Sequence, residues 1–538
     1  MRTHLINGKI YVNAGEFVEA LAIENGEIVA AGTADSLGEN CDHQVDLEGR
    51  TVLPGFNDSH LHLSYIGKYL GICDLSSARS IDDVVRLGRE YLQTHPNLTA
   101  MYARGWNQDY FTNGESRMPD RHDADRITTD IPIVMTRVCG HSTVINSRGI
   151  ETLAIGPDTR IDGGEIVRDE NGEPTGLLTE TAVSFAESLL PEDTAQDLAD
   201  AIVAGGEYAL SVGITSVQSN DVLHDVSGKP VQALHLLAKD GRIPVRYSAQ
   251  YSFNTPDELR DFLATEGQNQ NDYDERNFRR GALKLFKDGS LGARTAEMLD
   301  DYADDPGNRG LAVLTDEQMR EFMQLAKENN MRVVTHAIGD GAVQGVIDAY
   351  IESNGGTDNP LRHGINHCQI TRQEQLDRIV EHNLAVMYQP IFLEYDLQIV
   401  EDRVGKAVAN TSYAFGSMIR AGAHVSFGSD APVEDCNPFP GIACAVTRQR
   451  ASGEPAGGYA PEQKCSVEEA IDAFTLGSAW NEGTDGFKGR LQEGFVADLI
   501  VLDRDIFTID EEEIRDIRVL RTMLDGEWVY ENTDAHSA

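Results

Sequence analysis

Eight short apolar runs, spaced along most of the chain, constrain the fold more than any other feature. From the second run onward they are separated by stretches with helical periodicity, such as 315–328 and 339–352. Alternating strands and helices are typical of a parallel sheet covered by helices, and eight such units close most economically into a (β/α)8 barrel. The expected strands are 52–56, 214–218, 245–251, 282–286, 332–336, 363–367, 385–389 and 425–428.

Both ends of the chain show short β patterns instead. Each set contains a turn dipeptide, Asn25-Gly26 near the start and Asp525-Gly526 near the end. Neither end has enough apolar surface to be stable alone, so we expect the two to pair into one small β-sandwich. The strand-like runs are 9–12, 20–23, 27–30, 498–502, 517–520 and 527–530.

These patterns predict three parts. Residues 1–54 and 479–538 form the β-sandwich, and residues 55–478 form the (β/α)8 barrel. The segment of about 65–190 is too long for one barrel connection and has strands of its own, including one near 131–137. We expect it to be an inserted lobe over the barrel mouth.

The charge of the chain excludes several classes of partner. With 45 basic and 88 acidic side chains the formal net charge is −43, so the surface repels phosphate backbones and anionic lipids. We expect a small-molecule substrate, no nucleic acid and no membrane, and a homo-oligomer stays open. Only 10 of the basic residues are lysines. This scarcity and the acidic excess predict adaptation to high salt, with an ordinary acidic cytoplasmic enzyme as the alternative.

The cysteines and the hydropathy pattern bear on the compartment. The seven cysteines are odd in number and scattered, with no CxxC pair, so they do not form a disulfide framework. The first residues have strand patterns rather than a basic stretch followed by an apolar run. No segment approaches the ~20 apolar residues of a membrane span. We expect a soluble, cytoplasmic protein.

Two histidines two residues apart give the strongest chemical signal. His60 and His62 follow the first apolar run, and residues two apart in a strand face the same side, so both imidazoles aim at one point. His336, His367 and Asp430 end or follow the fifth, sixth and eighth runs. Each alone could be a capping or core residue. Because C-terminal strand ends meet on one face of a barrel, the five residues together predict a metal site there.

A lysine inside an apolar run is a second signal. Lys284 lies within the run ALKLF (282–286), where an unpaired ammonium is costly to bury. A buried neutral lysine can react with carbon dioxide, and the resulting carbamate is an anionic ligand able to bridge two cations. The alternatives are a salt bridge to Asp288 and a side chain that extends to the surface. Lys287, three residues on, competes for the same role.

Together these residues resemble the amidohydrolase superfamily, and several motifs resemble its YtcJ-like metal-dependent hydrolases (amidohydrolase 3 type). The motifs are KLFKDGSLGARTA (284–296), THAIGD (335–340), CGHSTVINS (139–147), GSDAPVE (428–434) and the late GRLQEGFVADL (489–499). The resemblance covers nearly the whole chain, including the flanking sandwich. It does not identify the substrate.

The resemblance implies a centre with one or two divalent cations. The ligands it implies are His60, His62 and Asp430 for one cation and His336 and His367 for the other, with carboxylated Lys284 between them. Zinc is the first expectation, with manganese or iron as alternatives. Cations in this arrangement would bind a hydroxide, lower the pKa of water toward neutrality and polarise a substrate carbonyl. Asp430 would take the proton and pass it to the leaving nitrogen.

We therefore expect hydrolysis of a non-peptide carbon–nitrogen bond, in a linear amide or an N-substituted formamide. Two alternatives stay open: the same scaffold acting on an ester or a cyclic amide or imine, and a non-catalytic metal-binding barrel protein. Weaker candidates for substrate contact are His141 and Trp106 in the lobe and Arg294 and Tyr388 in the barrel. A structural histidine, core aromatic residues and a surface ion pair are their ordinary alternatives.

Overall fold

The computed structural model of the chain describes residues 1–223, 228–266, 273–356 and 358–533. Within them the strands are β1 (Arg2–Ile6), β2 (Lys9–Asn13), β3 (Glu16–Val18), β4 (Ala20–Glu24), β5 (Glu27–Gly32), β6 (His43–Asp46), β7 (Thr51–Pro54), β8 (Phe56–Leu61), β9 (Cys73–Asp74), β10 (Met101–Trp106), β11 (Ile133–Arg137), β12 (Ser142–Ile145), β13 (Gly164–Arg168), β14 (Pro174–Glu180), β15 (Ile214–Leu223), β16 (Arg246–Ser252), β17 (Phe278–Phe286), β18 (Val333–Ala337), β19 (Gly364–His367), β20 (Ala385–Tyr388), β21 (His424–Phe427), β22 (Leu499–Leu502), β23 (Val519–Leu524) and β24 (Glu527–Glu531).

The α-helices in the same residues are α1 (Leu63–Leu70), α2 (Ile81–Thr94), α3 (Arg121–Asp125), α4 (Ser147–Thr152), α5 (Thr181–Glu187), α6 (Ala195–Ser211), α7 (Lys229–Asp240), α8 (Pro256–Glu266), α9 (Asp316–Glu328), α10 (Asp340–Asn354), α11 (Gln373–Glu381), α12 (Phe392–Asp396), α13 (Val400–Ala409), α14 (Phe415–Arg420), α15 (Pro438–Thr447), α16 (Val467–Asp472) and α17 (Ser478–Glu482). Short 3₁₀ segments cover Ala34–Leu37, Gln108–Tyr110, Pro461–Gln463 and Glu511–Asp516, and a π-helical turn covers Ala473–Gly477.

Eight parallel strands form the central sheet, in the order β21-β20-β19-β18-β17-β16-β15-β8. The two outer strands meet through the loops that follow them. The amide of Asp430 donates to the carbonyl of His60 (2.8 Å), and the amide of His62 donates to the carbonyl of Ala431 (2.8 Å). The (β/α)8 barrel predicted from the sequence is confirmed, and its C-terminal strand ends lie on one face.

Both helices predicted between the fourth and sixth barrel strands are present, as α9 and α10. Before α9, the Thr315 hydroxyl accepts a hydrogen bond from the amide of Gln318, and the Gln318 side chain accepts one from the amide of Thr315. This capping box satisfies two amides that would otherwise lack partners. Met319 and Phe322, three residues apart, are then buried in the main apolar core, as the period of a helix requires.

The first predicted barrel strand is wrong in its bounds. The run 52–56 spans two sheets: β7 pairs with β2 and β22, whereas β8 is the barrel strand and pairs with β15. The chain passes between the sheets at Gly55, whose amide donates to the carbonyl of Asp498 (3.0 Å). A Cβ at Gly55 would lie 2.3 Å from Oγ1 of Thr215, so this close approach requires glycine.

Two smaller sheets are built from the ends of the chain. One has the strand order β5-β4-β1-β6, and the other has β24-β23-β22-β7-β2-β3, which combines strands from both ends. Their buried side chains share one apolar cluster. Arg246 of β16 connects the barrel to this region, because it donates to Asp498 through Nε (2.6 Å) and Nη2 (2.9 Å). A buried bidentate pair fixes orientation as well as distance.

Residues Lys68–Thr194 form a compact unit of their own. The unit contains a six-stranded mixed sheet with the order β13-β14-β12-β11-β10-β9. The turn at Asn171-Gly172 lies between β13 and β14, which pair antiparallel. Two apolar clusters of buried side chains lie within the unit.

In the described part of the chain no helix is both long and apolar enough to cross a membrane. All seven cysteines are free, as their scattered spacing predicts. Five of the seven are buried, where a thiol behaves as a small apolar side chain.

Candidate metal centre

The Nε2 atoms of two histidines converge on one carboxylate oxygen at the C-terminal end of the barrel. Nε2 of His60 lies 3.1 Å and Nε2 of His62 lies 3.4 Å from Oδ1 of Asp430. His60 is on β8, His62 follows that strand directly, and Asp430 lies three residues beyond the end of β21. The structure therefore brings three of the predicted residues together, as the barrel rule requires.

Each of these imidazoles is held through its other ring nitrogen. Nδ1 of His60 donates to Oε1 of Gln250 (3.3 Å), and Nδ1 of His62 donates to the carbonyl of Asn220 (2.8 Å). With the proton on Nδ1, the lone pair of each ring is on Nε2, the atom that faces Asp430. Partners of this kind set the tautomer and orientation of metal-binding histidines. The sequence analysis missed Gln250 and Asn220, although polar residues inside buried strands are a signal that could identify them.

Lys284 reaches the same point from β17. The residue has no exposed surface, and its Nζ lies 3.3 Å from Nε2 of His60. Burial lowers the pKa of Lys284 to about 7, although the charge of Asp430 opposes this shift. A large share of the amine is therefore neutral near pH 7, and the neutral form is the nucleophile that attacks carbon dioxide.

Lys287 makes different contacts. Its Nζ donates to the carbonyl of Leu314 (2.8 Å) and to Oδ1 of Asp316 (2.8 Å), just before and within the first turn of α9. Lys284 faces a histidine of the cluster, whereas Lys287 is paired with a carboxylate. This difference follows from their odd spacing of three along β17 and the loop after it, which directs them to different sides.

His336 and His367 end β18 and β19 near the same face. Their rings meet edge to face with centroids 4.4 Å apart, and the His367 ring lies 5.8 Å from that of His60. Nε2 of His336 donates to the carbonyl of Gly289 (3.0 Å) and lies 3.3 Å from Oδ1 of Asp288. Its Nδ1 lone pair is therefore the one available to a ligand. Asp288 is a further residue that the sequence analysis did not assign to this histidine.

Two site residues have left-handed backbone conformations. The angle φ is +74° at His367 and +58° at Asp430, a region that costs a residue other than glycine about 1–3 kcal/mol. Backbone hydrogen bonds hold both bends. The amide of Cys368 donates to the carbonyl of Ala337 (2.9 Å), and the amide of Asp430 donates to that of His60. Strain of this kind is concentrated at functional sites.

Burial determines most of the protonation states in the cluster. It lowers the pKa of His60 to about 3 and the pKa of His367 well below its usual value. Burial also acts to lower the pKa of His62, but the hydrogen bond and charge of Asp430 outweigh it and raise that pKa. Burial alone would raise the pKa of Asp430, yet the surrounding histidines hold it well below the usual range. The cluster therefore offers the neutral imidazoles of His60 and His367 and an ionised carboxylate.

This donor set fits a divalent cation. Three buried residues each offer one possible ligand atom, and these atoms all lie within 4.8 Å of one another. The residues are His60, His367 and Asp430. Nε2 of His367 lies 2.9 Å from Nδ2 of Asn366, and Nδ1 is buried with no hydrogen-bond partner among the described residues, so the protein leaves one nitrogen of this ring unsatisfied. Imidazole nitrogens with a carboxylate suit zinc and other first-row metals.

The two weaker candidates in the barrel have structural contacts. Arg294 donates to both carboxylate oxygens of Asp304 (3.1 and 2.9 Å). Tyr388 is 1% exposed, and its ring packs edge-on against Phe415 with centroids 4.9 Å apart. Because its neighbour Met387 packs with residues of β17 and β18 inside the barrel, alternation directs Tyr388 toward the helices. Substrate contact by either residue stays a prediction.

The other two weaker candidates belong to the unit Lys68–Thr194. Nδ1 of His141 lies 3.1 Å from Oε2 of Glu180, and both side chains are exposed. Trp106 is fully buried in an apolar cluster of that unit, and its indole N–H donates to the carbonyl of Met135 (2.9 Å). A role toward substrate stays a prediction for both.

Comparison with known proteins agrees with this geometry. A family model described as the amidohydrolase family matches residues 44–530. The chain belongs to the amidohydrolase family. It is 32% identical to the putative amidohydrolase YtcJ of Bacillus subtilis, over 98% of this chain and 99% of that protein. The predicted resemblance is confirmed, and amidohydrolases of this kind are metal-dependent hydrolases that act on carbon–nitrogen bonds.

Two further similar proteins extend the comparison. An N-substituted formamide deformylase of Arthrobacter pascens is 26% identical, over 96% of this chain and 95% of that protein. Among solved structures, an uncharacterized metal-dependent hydrolase from Pyrococcus furiosus superposes with a TM-score of 0.77 at 30% identity, covering 94% of this chain and 100% of its own. The likeness extends over the barrel, the inserted unit and the end sheets alike.

Proposed function

We propose that this amidohydrolase cleaves a linear amide or an N-substituted formamide, with one or two divalent cations as cofactor. The observation that carries the proposal is the convergence of Nε2 of His60 and of His62 on Oδ1 of Asp430, beside the buried amine of Lys284. The proposed ligands are His60, His62, Lys284, His336, His367 and Asp430.

Zinc is the cation we favour, with manganese or iron as alternatives, because the donors are imidazole nitrogens and carboxylate oxygens. When bound, a divalent cation polarises a carbonyl and lowers the pKa of a water molecule toward neutrality. The protein's own contribution is orientation. Gln250 and Asn220 hold His60 and His62 in the Nδ1-protonated tautomer, so that both Nε2 lone pairs point to the centre.

Asp430 is the residue we assign to proton transfer. It is the one carboxylate of the proposed ligand set, and its Oδ1 can accept a proton from the attacking water and donate it to the leaving nitrogen. An amine leaves only after its nitrogen is protonated, whereas an alkoxide or phenoxide departs more readily. A carboxylate that both accepts and returns a proton therefore suits an amide or formamide substrate better than an ester.

Lys284 is the residue we assign to the carbamate. Its neutral Nζ would form a bond to the carbon of carbon dioxide and release one proton to solvent, which leaves an anionic carbamate. Support comes from its burial, its position 3.3 Å from Nε2 of His60 and its pKa of about 7. Lys287, which is paired with Asp316, stays the alternative.

The substrate class is the least constrained part of the proposal. The similar protein from Arthrobacter pascens acts, by its name, on N-substituted formamides, and the likeness extends over nearly the whole of both chains. The same centre acting on an ester or a cyclic amide or imine is the alternative reaction. A non-catalytic metal-binding barrel is disfavoured because the donor set is complete.

Metal content and an activity screen test the proposal together. Protein folded with zinc or manganese should hold between one and two divalent ions per chain, and His60→Ala should lose at least one of them. His382→Ala, just after α11, is the matched control and should retain them. The loaded protein should hydrolyse members of a panel of amides and N-substituted formamides. Protein that binds no metal, or loaded protein that cleaves only esters, would contradict the proposal.

A further inference from the structure

Four arginines surround a cavity at the end of the barrel opposite the metal centre. The cavity has a volume of about 250 Å³ and lies where β17, β18 and β19 begin and where α17 ends. The arginines that line it are Arg279, Arg280, Arg332 and Arg362. In a chain whose net charge is −43, a concentration of positive charge needs a physical explanation.

Only two of the four guanidinium groups form an ion pair with an acidic side chain. Arg362 is 2.7 Å from Oδ1 of Asp485, and Arg279 is 3.1 Å from the exposed carboxylate of Glu275. Arg280 and Arg332 have no such ion pair with any residue in the described parts of the chain. Two of the four guanidinium groups at the cavity therefore have no direct ion pair.

One carboxylate, that of Glu482, is among the lining residues, and its charge acts against burial by raising the pKa of Arg332. Glu482 forms a buried ion pair with Lys488 and accepts a hydrogen bond from Nδ2 of Asn57 (2.8 Å). Its charge is matched by that of Lys488 within the protein. The direct ion-pair partner of Glu482 is therefore Lys488, and Arg280 and Arg332 keep no direct carboxylate partner.

Arg332 is the better buried of these two. Its Nε donates to the carbonyl of Arg362 (2.8 Å), Nη1 donates to Oε1 of Gln218 (3.4 Å), and Nη2 donates to Oδ1 of Asn481; all three acceptors are neutral. Burial lowers the pKa of Arg332 to about 10, which still leaves the guanidinium charged at neutral pH. A guanidinium with no direct carboxylate partner is costly to bury, and a bound anion would offset that cost.

A second observation at the same cavity also points to an anion. Asn481 is 1% exposed and lines the cavity, and its Nδ2 has no hydrogen-bond partner among the described residues. Because Oδ1 accepts from Arg332, the orientation of the amide is fixed and the end without a partner is the donor. A buried N–H donor next to guanidinium groups is complementary to an oxygen acceptor.

We propose that this cavity binds a small oxyanion, with the chemistry of phosphate, between Arg332, Arg280 and the amide of Asn481. Nothing in the mechanism above uses these residues. Arg332 precedes β18 and His336 lies near its end, so four residues, or about 13 Å of strand, separate the two sites. Binding at the start of three neighbouring strands would stabilise the barrel from the end away from the chemistry.

Titration calorimetry with inorganic phosphate tests the proposal on the metal-loaded protein at a fixed ionic strength maintained with potassium chloride. We expect one phosphate per chain in this site and a rise in melting temperature that chloride does not reproduce. Arg280→Gln, which changes an exposed side chain, should weaken binding about tenfold, as expected for one lost charge-assisted hydrogen bond. Arg332→Gln should abolish it, and Asn481→Ala should weaken it.

Three controls separate this site from other sources of binding. Arg320→Gln removes an exposed arginine on α9 and should leave phosphate binding unchanged. Asp430→Asn alters the metal centre and should also leave it unchanged. Sulfate and succinate, tested in parallel, should show whether the site takes tetrahedral anions or carboxylates. Equal binding by wild type, Arg280→Gln and Arg332→Gln, or no binding by wild type beyond that of chloride, would overturn the proposal.

Discussion

Replacement of Lys284 by methionine should make the metal-free protein more stable. The lysine has no exposed surface, and it forms no ion pair with a carboxylate in the described residues. Methionine has a similar length and volume and needs no hydrogen bond inside a core. The variant therefore keeps the packing of the barrel and removes the amine.

The magnitude follows from the pKa of the buried amine. Burial lowers it from 10.5 to about 7, and each unit corresponds to about 1.4 kcal/mol, so burying this group costs the folded state about 5 kcal/mol at pH 7. The hydrogen bond with His60 returns about 1 kcal/mol, which leaves a net gain of about 4 kcal/mol for methionine. A unit of about 400 residues unfolds with an entropy of about 0.9 kcal/mol/K. The melting temperature should therefore rise by about 4 to 5 °C.

The gain should depend on pH with a defined sign. Between about pH 7 and 10.5 the unfolded chain holds a proton on Lys284 that the folded chain has released. The stability of the wild type therefore rises with pH across this window. Below it the full penalty is present, and above it the penalty is gone. The advantage of Lys284→Met should be largest at or below pH 7 and should be nearly lost at pH 10.5.

Thermal unfolding of chelator-treated protein in buffer free of carbon dioxide, at pH 7 and at pH 10, measures this difference. Lys287→Met is the matched control: it removes hydrogen bonds to Leu314 and Asp316 and should lower the melting temperature. In the metal-loaded enzyme, activity should be lost in Lys284→Met and kept in Lys287→Met. A Lys284→Met protein that melts below the wild type at pH 7, or whose advantage is independent of pH, would refute the reasoning.

Two further predictions follow. Asp430→Asn, with its metal content confirmed as unchanged, should lose amide or formamide hydrolysis by about 10²- to 10⁴-fold, which is the usual contribution of a positioned acid or base. Activated aryl esters should keep measurable turnover. Equal losses on both substrates would remove Asp430 from the role of proton donor. The melting temperature of the wild type should rise steeply between dilute buffer and about 2 M potassium chloride, because the repulsion within a chain of net charge −43 is nearly fully screened there. A flat response to salt would contradict adaptation to high salt.

The residues at the strand ends could be predicted because two rules act together. The period of two along a strand places His60 and His62 on one side, and a closed parallel barrel brings all C-terminal strand ends to one face. His336, His367 and Asp430 then follow from where the apolar runs end. These boundaries are visible in the sequence to within one or two residues, which is enough to locate the centre.

The contacts that orient those residues could not be found in the same way. Gln250 and Asn220 differ from other buried polar residues only in their hydrogen bonds to His60 and His62, which come from another part of the sequence. The division of the run 52–56 between two sheets could not be predicted either. All its residues suit a strand, and only the pairing of β7 with β22 and of β8 with β15 shows where one sheet ends and the other begins. Arg332 and Asn481, 149 residues apart, give no local signal at all.

The backbone of the centre is shaped before any cation binds. A left-handed conformation is usually supplied by glycine, yet His367 and Asp430 adopt it and accept the strain. The buried carboxylate of Asp58 helps to hold this geometry, because it accepts hydrogen bonds from the amides of His60 (3.0 Å) and Ser429 (3.0 Å) and so ties the first barrel strand to the last. A rigid support of this kind keeps donor atoms near their working positions. The strain at His367 and Asp430 persists because the site needs their side chains, and a glycine at either position would have no side chain to offer.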